Sequence, residues 1–299
     1  WMWGTGIVFM TYHLCEAHFW LIPSFREHFI KDISVQWKSY GSFVGSWNML
    51  VYGIAIYVMS KIKDDNTLAF GKKTFFFYFI GLANLMFGWA HHTYIIPIQP
   101  WIRYLAYGIS MTEWILLIDI IYNWKKNLSK LDKEEFLLAY KFLITADYWL
   151  LLNLVLALLF SIPTINFFTH GTHITVAHSM GTTIGINTSI LFASLFFIVS
   201  KLSVKNKLNN FLIKRSIILY NISLLLFWLS LLIAGTKRSH WMYFNKDISF
   251  SQMQDSLYYV YLAFFIFGIL LVASILIIST ILLKFLIKNI KFIRTNSNH

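Results

Sequence analysis

The chain has 299 residues, 58% of them hydrophobic and only 13% charged, with a mean hydropathy of +0.61 and a net charge of +12. A soluble domain carries about 25% charged residues, so this composition excludes an ordinary water-soluble fold. The basic residues sit between apolar runs rather than along a polar face, which argues against nucleic acid and for membrane lipid as the surrounding partner. The single cysteine, Cys15, excludes a disulfide framework and a thiolate-rich metal site.

The apolar residues fall into runs of about 20, the length a helix needs to cross a ~30 Å hydrocarbon layer. Eight spans are expected, near 1–23, 42–60, 74–95, 102–124, 137–161, 174–200, 214–235 and 256–285. The expected fold is therefore all-α: a polytopic membrane helical bundle, one transmembrane domain over 1–299. The first span opens on Trp1 inside an apolar run and shows no signal peptide, so the sequence is read as starting partway along a longer protein whose N-terminal helices precede it. This span carries His13, Glu16 and His18 on roughly one face, with Cys15 expected as a small packed hydrophobe. The third ends on His91 and His92. The fourth has Glu113 midway and Asp119 beyond, and the fifth holds Asp147. His170 and His173 lead into the sixth, which carries His178 and Met180. Lys237 and Arg238 follow the seventh.

Lysine and arginine alternate between the two sides of this arrangement. Eighteen lie on the side of the 61–73 connection and the C-terminus, and seven on the other, together all 25. The richer side is expected to be cytoplasmic, the C-terminus included, in a bacterial inner membrane.

Ionisable groups inside a span are costly, so each is a functional candidate. His91, His92, His170, His173 and His178 fall in the same outer third of the bundle although they are far apart in sequence. One such histidine alone would be read as packing or capping, but His91, His92 and His178 at one depth are read as ligands. Zinc alone gives no reason for an aromatic-lined bundle. Haem needs an apolar slot, an axial imidazole and cations for its propionates, and Lys237 and Arg238 lie at a suitable depth, the alternative for that pair being an interfacial anchor.

The segment His170-Gly171-Thr172-His173-Ile174-Thr175-Val176-Ala177-His178 resembles the tenth-helix motif of the nitric oxide reductase catalytic subunit, in the haem–copper oxidase superfamily. His91-His92, followed by Tyr94, Trp101 and the Glu113 of Ile109-Ser110-Met111-Thr112-Glu113, resembles that family's seventh and eighth helices. The separations, 21 residues from His92 to Glu113 and 86 from His92 to His178, are close to its pattern. The resemblance covers essentially the whole chain as helices five to twelve of a twelve-helix fold. It implies a high-spin haem b on His178, with His170 a further residue at the cofactor. It also implies a second metal on His91 and His92, non-haem iron or alternatively copper, facing that haem. Glu113 would be the acid supporting proton delivery. The implied reaction converts the gaseous substrate nitric oxide to nitrous oxide, with electrons from a c-type cytochrome or another electron-donating subunit.

Three departures from the family pattern stand out. The family's third metal-binding histidine, and a glutamate four residues later, correspond here to Tyr40 and Val44. Tyr40 could ligate as a phenolate, His13, His18 or Glu16 could approach instead, or the metal site could be weakened. A further family histidine, serving a low-spin haem, corresponds to Met180, which is either an axial ligand or a packing residue. The opposite ligand of that haem would lie on a helix outside this sequence. Two rival readings follow: an oxygen reductase of the same superfamily, and a degenerate, non-catalytic subunit of a respiratory complex.

Overall fold

A computed structural model describes the backbone of residues 1–95, 97, 99–202, 210–245 and 247–296, and their side chains except at 91–93, 110, 202, 210 and 291–296. Among the described residues there is no strand. The main helices are α1 (Met2–Glu16), α2 (Phe29–Lys63), α3 (Lys72–Phe87), α4 (Pro100–Lys126), α5 (Leu137–Ser161), α6 (His173–Met180), α7 (Ser189–Leu202), α8 (Asn210–Phe244) and α9 (Tyr258–Asn296). Helices α6 and α7 are joined without a break by a π-helical segment, Gly181–Thr188, and form one continuous span.

Every expected span is occupied by helix. Among the described residues six helical stretches, His173–Lys201 counted as one, are long and apolar enough to cross a membrane. The first and third are shorter, α1 at 15 residues and α3 at 16, and α3 is prolonged by a 3₁₀ turn, Gly88–Thr93. The connection expected over 24–41 is largely helical instead, because α2 already begins at Phe29. Nothing in that stretch breaks a helix. Asp32 in the first turn and Lys61 and Lys63 in the last complement the helix dipole, and the helix stops where Asp64 turns left-handed at φ 51°.

The helices group into two compact units, one of Trp1–Asp132 with Leu154–His170, the other of Lys133–Asn153 with Gly171–His299. In the first unit α1 packs along α2, and α3 packs against α2 and α4. Helix α2 buries Ser39, Ser42, Ser46, Met49 and Tyr52, a stripe at helical spacing whose small members let its neighbours approach closely. In the second unit α8 packs along α9 and against α6. Phe142 and Phe196, both fully buried, stack there with ring centroids 5.3 Å apart and planes 9° from parallel. In lipid such contacts gain dispersion and fit rather than relief from water. Exposed Phe265, Val272 and Leu276 on α9 are the apolar outer side expected of a lipid-facing helix.

Cys15 is exposed rather than packed. His13 and Ala17, four residues apart, take the inward positions of α1, so a residue midway between them points out.

Candidate functional site

Glu113, at the middle of α4, is only 8% exposed. The Asn84 carboxamide on α3 donates to its Oε2. A Cβ built on Gly81 would sit 3.6 Å from Glu113 Oε1 and 3.5 Å from Met49, ordinary contact distances that place the carboxyl where α2, α3 and α4 meet. Fully buried Tyr52 of α2 is within its electrostatic reach. A carboxyl group is thus held inside an apolar three-helix cluster of the first unit, with a side-chain donor in place of water.

His91 and His92 lie on the 3₁₀ turn Gly88–Thr93 that closes α3, and their side chains lie outside the described residues. Tyr94, just beyond, is buried, its hydroxyl 3.3 Å from the Ser161 carbonyl and 3.4 Å from that of Arg103. Tyr40 and Val44 are 53% and 45% exposed, on the side of α2 opposite its buried serine stripe. Among the described residues no three His, Cys, Asp or Glu side chains form a metal-binding group.

His13, Glu16 and His18 do not act as a trio. His13 is buried with Nδ1 2.8 Å from Glu16, and Lys38 Nζ is 2.6 Å from the same carboxylate. His18 turns away to the Leu14 carbonyl at 2.7 Å, because it falls after the last α-helical residue, where the helical register ends. Asp119 is exposed and paired with Lys73 at 2.6 Å, a rim contact.

His178 sits on α6, and the route to it is set by the local sequence. Gly171 takes φ +70°, which glycine reaches without strain, and Thr172 caps α6 by accepting the Ile174 N–H at 3.2 Å. His170, before that turn, packs against Trp37 with centroids 4.9 Å apart and planes tilted by 38°, and burial holds its imidazole pKa below the ordinary value. His173 packs against Tyr261 at 5.8 Å. Met180 is two residues beyond His178, so the two side chains leave the helix in different directions.

Directly after this helix the chain widens into the π segment. Such wide turns misalign backbone partners, and side chains take up the slack here. Asn153 Nδ2 donates to the His178 carbonyl at 2.9 Å and to Thr182 Oγ1 at 2.7 Å. Thr188 Oγ1 donates to the Thr183 carbonyl at 2.9 Å, and the Tyr220 hydroxyl donates to that of Ile184. A Cβ at Gly181 would run into Asn153, and one at Gly185 into the Trp149 ring. π-helical turns are often found at functional sites.

The sequence reading missed Asn84, Asn153, Tyr220 and this π segment. Asn84 and Asn153 were detectable by the rule that singled out Glu113, being polar groups inside apolar spans.

Haem needs an axial imidazole and donors for its acidic edge. The second unit holds His178 on α6, and α8 carries Lys237 and Arg238. The Nε of Arg238 is buried with no hydrogen-bond partner among the described residues, a donor left over for an acidic group, while Lys237 is exposed with Nζ 3.3 Å from the Ser256 carbonyl. Arg238 lies within electrostatic reach of His173 at the start of α6; in a haem-bound chain His178 would ligate the iron, and Arg238 and Lys237 are the donors that would hold its carboxylates.

Spans of apolar helix, a buried intramembrane acid and imidazoles at helix ends define a polytopic membrane protein built for chemistry inside the bilayer. The family described as Cytochrome C and Quinol oxidase polypeptide I matches residues 1–271. The chain belongs to that family, and is a haem–copper oxidase-type membrane subunit, an oxidoreductase whose family binds haem and a metal centre. A comparison with individually curated proteins finds no match.

Proposed function

We propose that within this family the chain is a nitric-oxide-reductase-like subunit. Two nitric oxide molecules would take up two electrons and two protons and leave as one nitrous oxide and one water. His178 would hold the haem b, His91 and His92 would hold the second metal as non-haem iron, and a c-type cytochrome or similar subunit would supply electrons. Haem and metal, when bound, supply the electrons at the site and hold both reactants.

The observation that carries this reading is Glu113: a carboxyl at mid-span, hydrogen-bonded by Asn84, is a proton-carrying group where water is scarce. The outward position of Tyr40 adds support, since the oxygen-reducing relatives use a tyrosine near their copper. Buried Tyr52 beside Glu113 is the one observation that favours the oxygen-reductase alternative.

The test is the optical spectrum of the dithionite-reduced protein with and without carbon monoxide, followed by gas turnover and metal content. A carbon-monoxide-shifted Soret band, nitric oxide consumed faster than oxygen, and non-haem iron without copper are expected. Copper with faster oxygen consumption would sink the proposal in favour of the oxygen reductase. Absence of haem would sink both enzymes and leave a non-catalytic subunit.

A further inference from the structure

Two cavities of the first unit share a wall. One, of about 360 Å³, is lined by Trp1, Trp3, Tyr57, Phe70, Phe75 and Tyr78, among other residues. The other, of about 340 Å³, is edged by Lys63, Lys72, Lys73, Asn123 and Asn127. Gly71 and Thr74 belong to both linings, so an aromatic apolar chamber and a lysine-edged polar chamber meet where α3 begins.

The lining of the polar chamber carries three lysines against one carboxylate, Asp65, while Asp64, Asp119 and Asp132 lie around it and Asp132 is within electrostatic reach of Lys63. Lys63 is 2.8 Å from Asp65 and Lys73 is 2.6 Å from Asp119, with Asp64 on the same turn. The Lys73–Asp119 pair is exposed and the Lys63–Asp65 pair partly so, and ion pairs open to solvent hold weakly. Lys72 is exposed and makes no ion pair among the described residues. Lys61, outside both linings, lies over the ring of Tyr57, a wall residue of the aromatic chamber, at 5.8 Å. The loop also belongs to the lysine-rich side, where a membrane surface carries anionic lipid.

We propose that this double cavity binds an anionic phospholipid, its phosphate among Lys63, Lys72 and Lys73 and an acyl chain against the aromatic wall. A soluble anion would leave the aromatic chamber unused, and an uncharged lipid would leave the lysines unused. Only an amphipathic anion matches both.

The purified chain in detergent would be titrated with dioleoyl phosphatidylglycerol or dioleoyl phosphatidylcholine, and bound lipid counted by native mass spectrometry. Phosphatidylglycerol is expected to be retained at a concentration lower by on the order of tenfold. Lys72→Gln combined with Lys73→Gln removes that preference. Should the double variant fail to fold, Lys72→Gln alone, which breaks no ion pair, still lowers it. Ala69→Phe, which fills the aromatic chamber, weakens retention of both lipids. Equal retention of the two lipids, an unchanged preference in the lysine variants, or full displacement by millimolar inorganic phosphate would overturn the assignment. Dimers with no lipid retained would give the cavity to a second copy of the chain and overturn it equally.

Discussion

The surroundings of Glu113 and of His178 solve opposite problems. Around Glu113 a polar side chain is taken into an apolar helix cluster, and one carboxamide, Asn84, answers it. Around His178 the main chain itself is irregular, and Asn153, Thr182, Thr188 and Tyr220 answer backbone carbonyls in and beside the π segment. The first arrangement protects a group that can carry a proton. The second supports the backbone of the helix that carries His178, the residue proposed to hold haem. In each place the titratable residue is only half of the arrangement, and the supporting half differs in kind: side chain to side chain in one unit, side chain to backbone in the other.

The largest effect expected is all-or-none and separates the two regions by cofactor. His178→Ala removes the high-spin haem signal, while His91→Ala spares the haem and empties the second metal. Reduced-minus-oxidised spectra and metal analysis of the two variants would read this, and loss of haem in both or in neither breaks the division of roles.

Next comes the packing beneath His178. Gly235 of α8 faces the backbone of α6 so closely that a Cβ would meet the Ile174 amide and lie 3.0 Å from the His173 carbonyl carbon. Gly235→Leu is expected to cost about 1–3 kcal/mol, the range for overpacking, and to lower haem content with it. Thermal unfolding in detergent checks the first part and haem per chain the second. A variant with native stability would mean that α6 moves freely, and that the π segment, not the crossing, sets its direction.

At Glu113 the effects are smaller and separable. Asn84→Leu removes the donor to a buried carboxyl and is expected to cost about 1 kcal/mol, the scale of side-chain hydrogen bonds in membranes. Glu113→Gln keeps size and polarity, so cofactors and stability are retained while turnover slows. A double-variant cycle sharpens the contrast: if the Asn84 and Glu113 changes are additive, the contact matters to neither stability nor proton transfer.

The regular helices were legible in the sequence because membrane length and apolarity act on whole segments. Even so, the span edges failed at Phe29, since a helix does not end where the hydrocarbon does. Glu113 and His178 were legible because a titratable group inside an apolar span has few ordinary explanations. Asn84 and Asn153 obey the same logic and were overlooked because amides carry no charge. The π segment was not legible at all. The side chains packed on it, Asn153 and Trp149, lie 28 and 36 residues away from Gly181 and Gly185, and no local pattern announces that pairing. The outward position of Tyr40 likewise depends on which side of α2 its neighbours chose.

The smallest effect concerns His170, which belongs to the first unit though it lies only eight residues before His178. Burial against Trp37 lowers its pKa below the ordinary 6.5. Between its lowered value and 6.5 the unfolded chain binds a proton that the folded chain refuses, so stability falls as the pH drops through that window and is unaffected well above it. His170→Phe keeps an aromatic ring on Trp37 and removes the titration. The variant's midpoint of unfolding, compared with the parent between pH 7.5 and 5.5 (roughly one unit either side of the imidazole range), is expected to fall less steeply on acidification. Equal slopes would show that His170 is protonated in the folded chain as easily as in the unfolded one. Its ring would then be reached by water, and the two flanks of the Gly171 turn would be less alike in burial than their shared sequence motif implies.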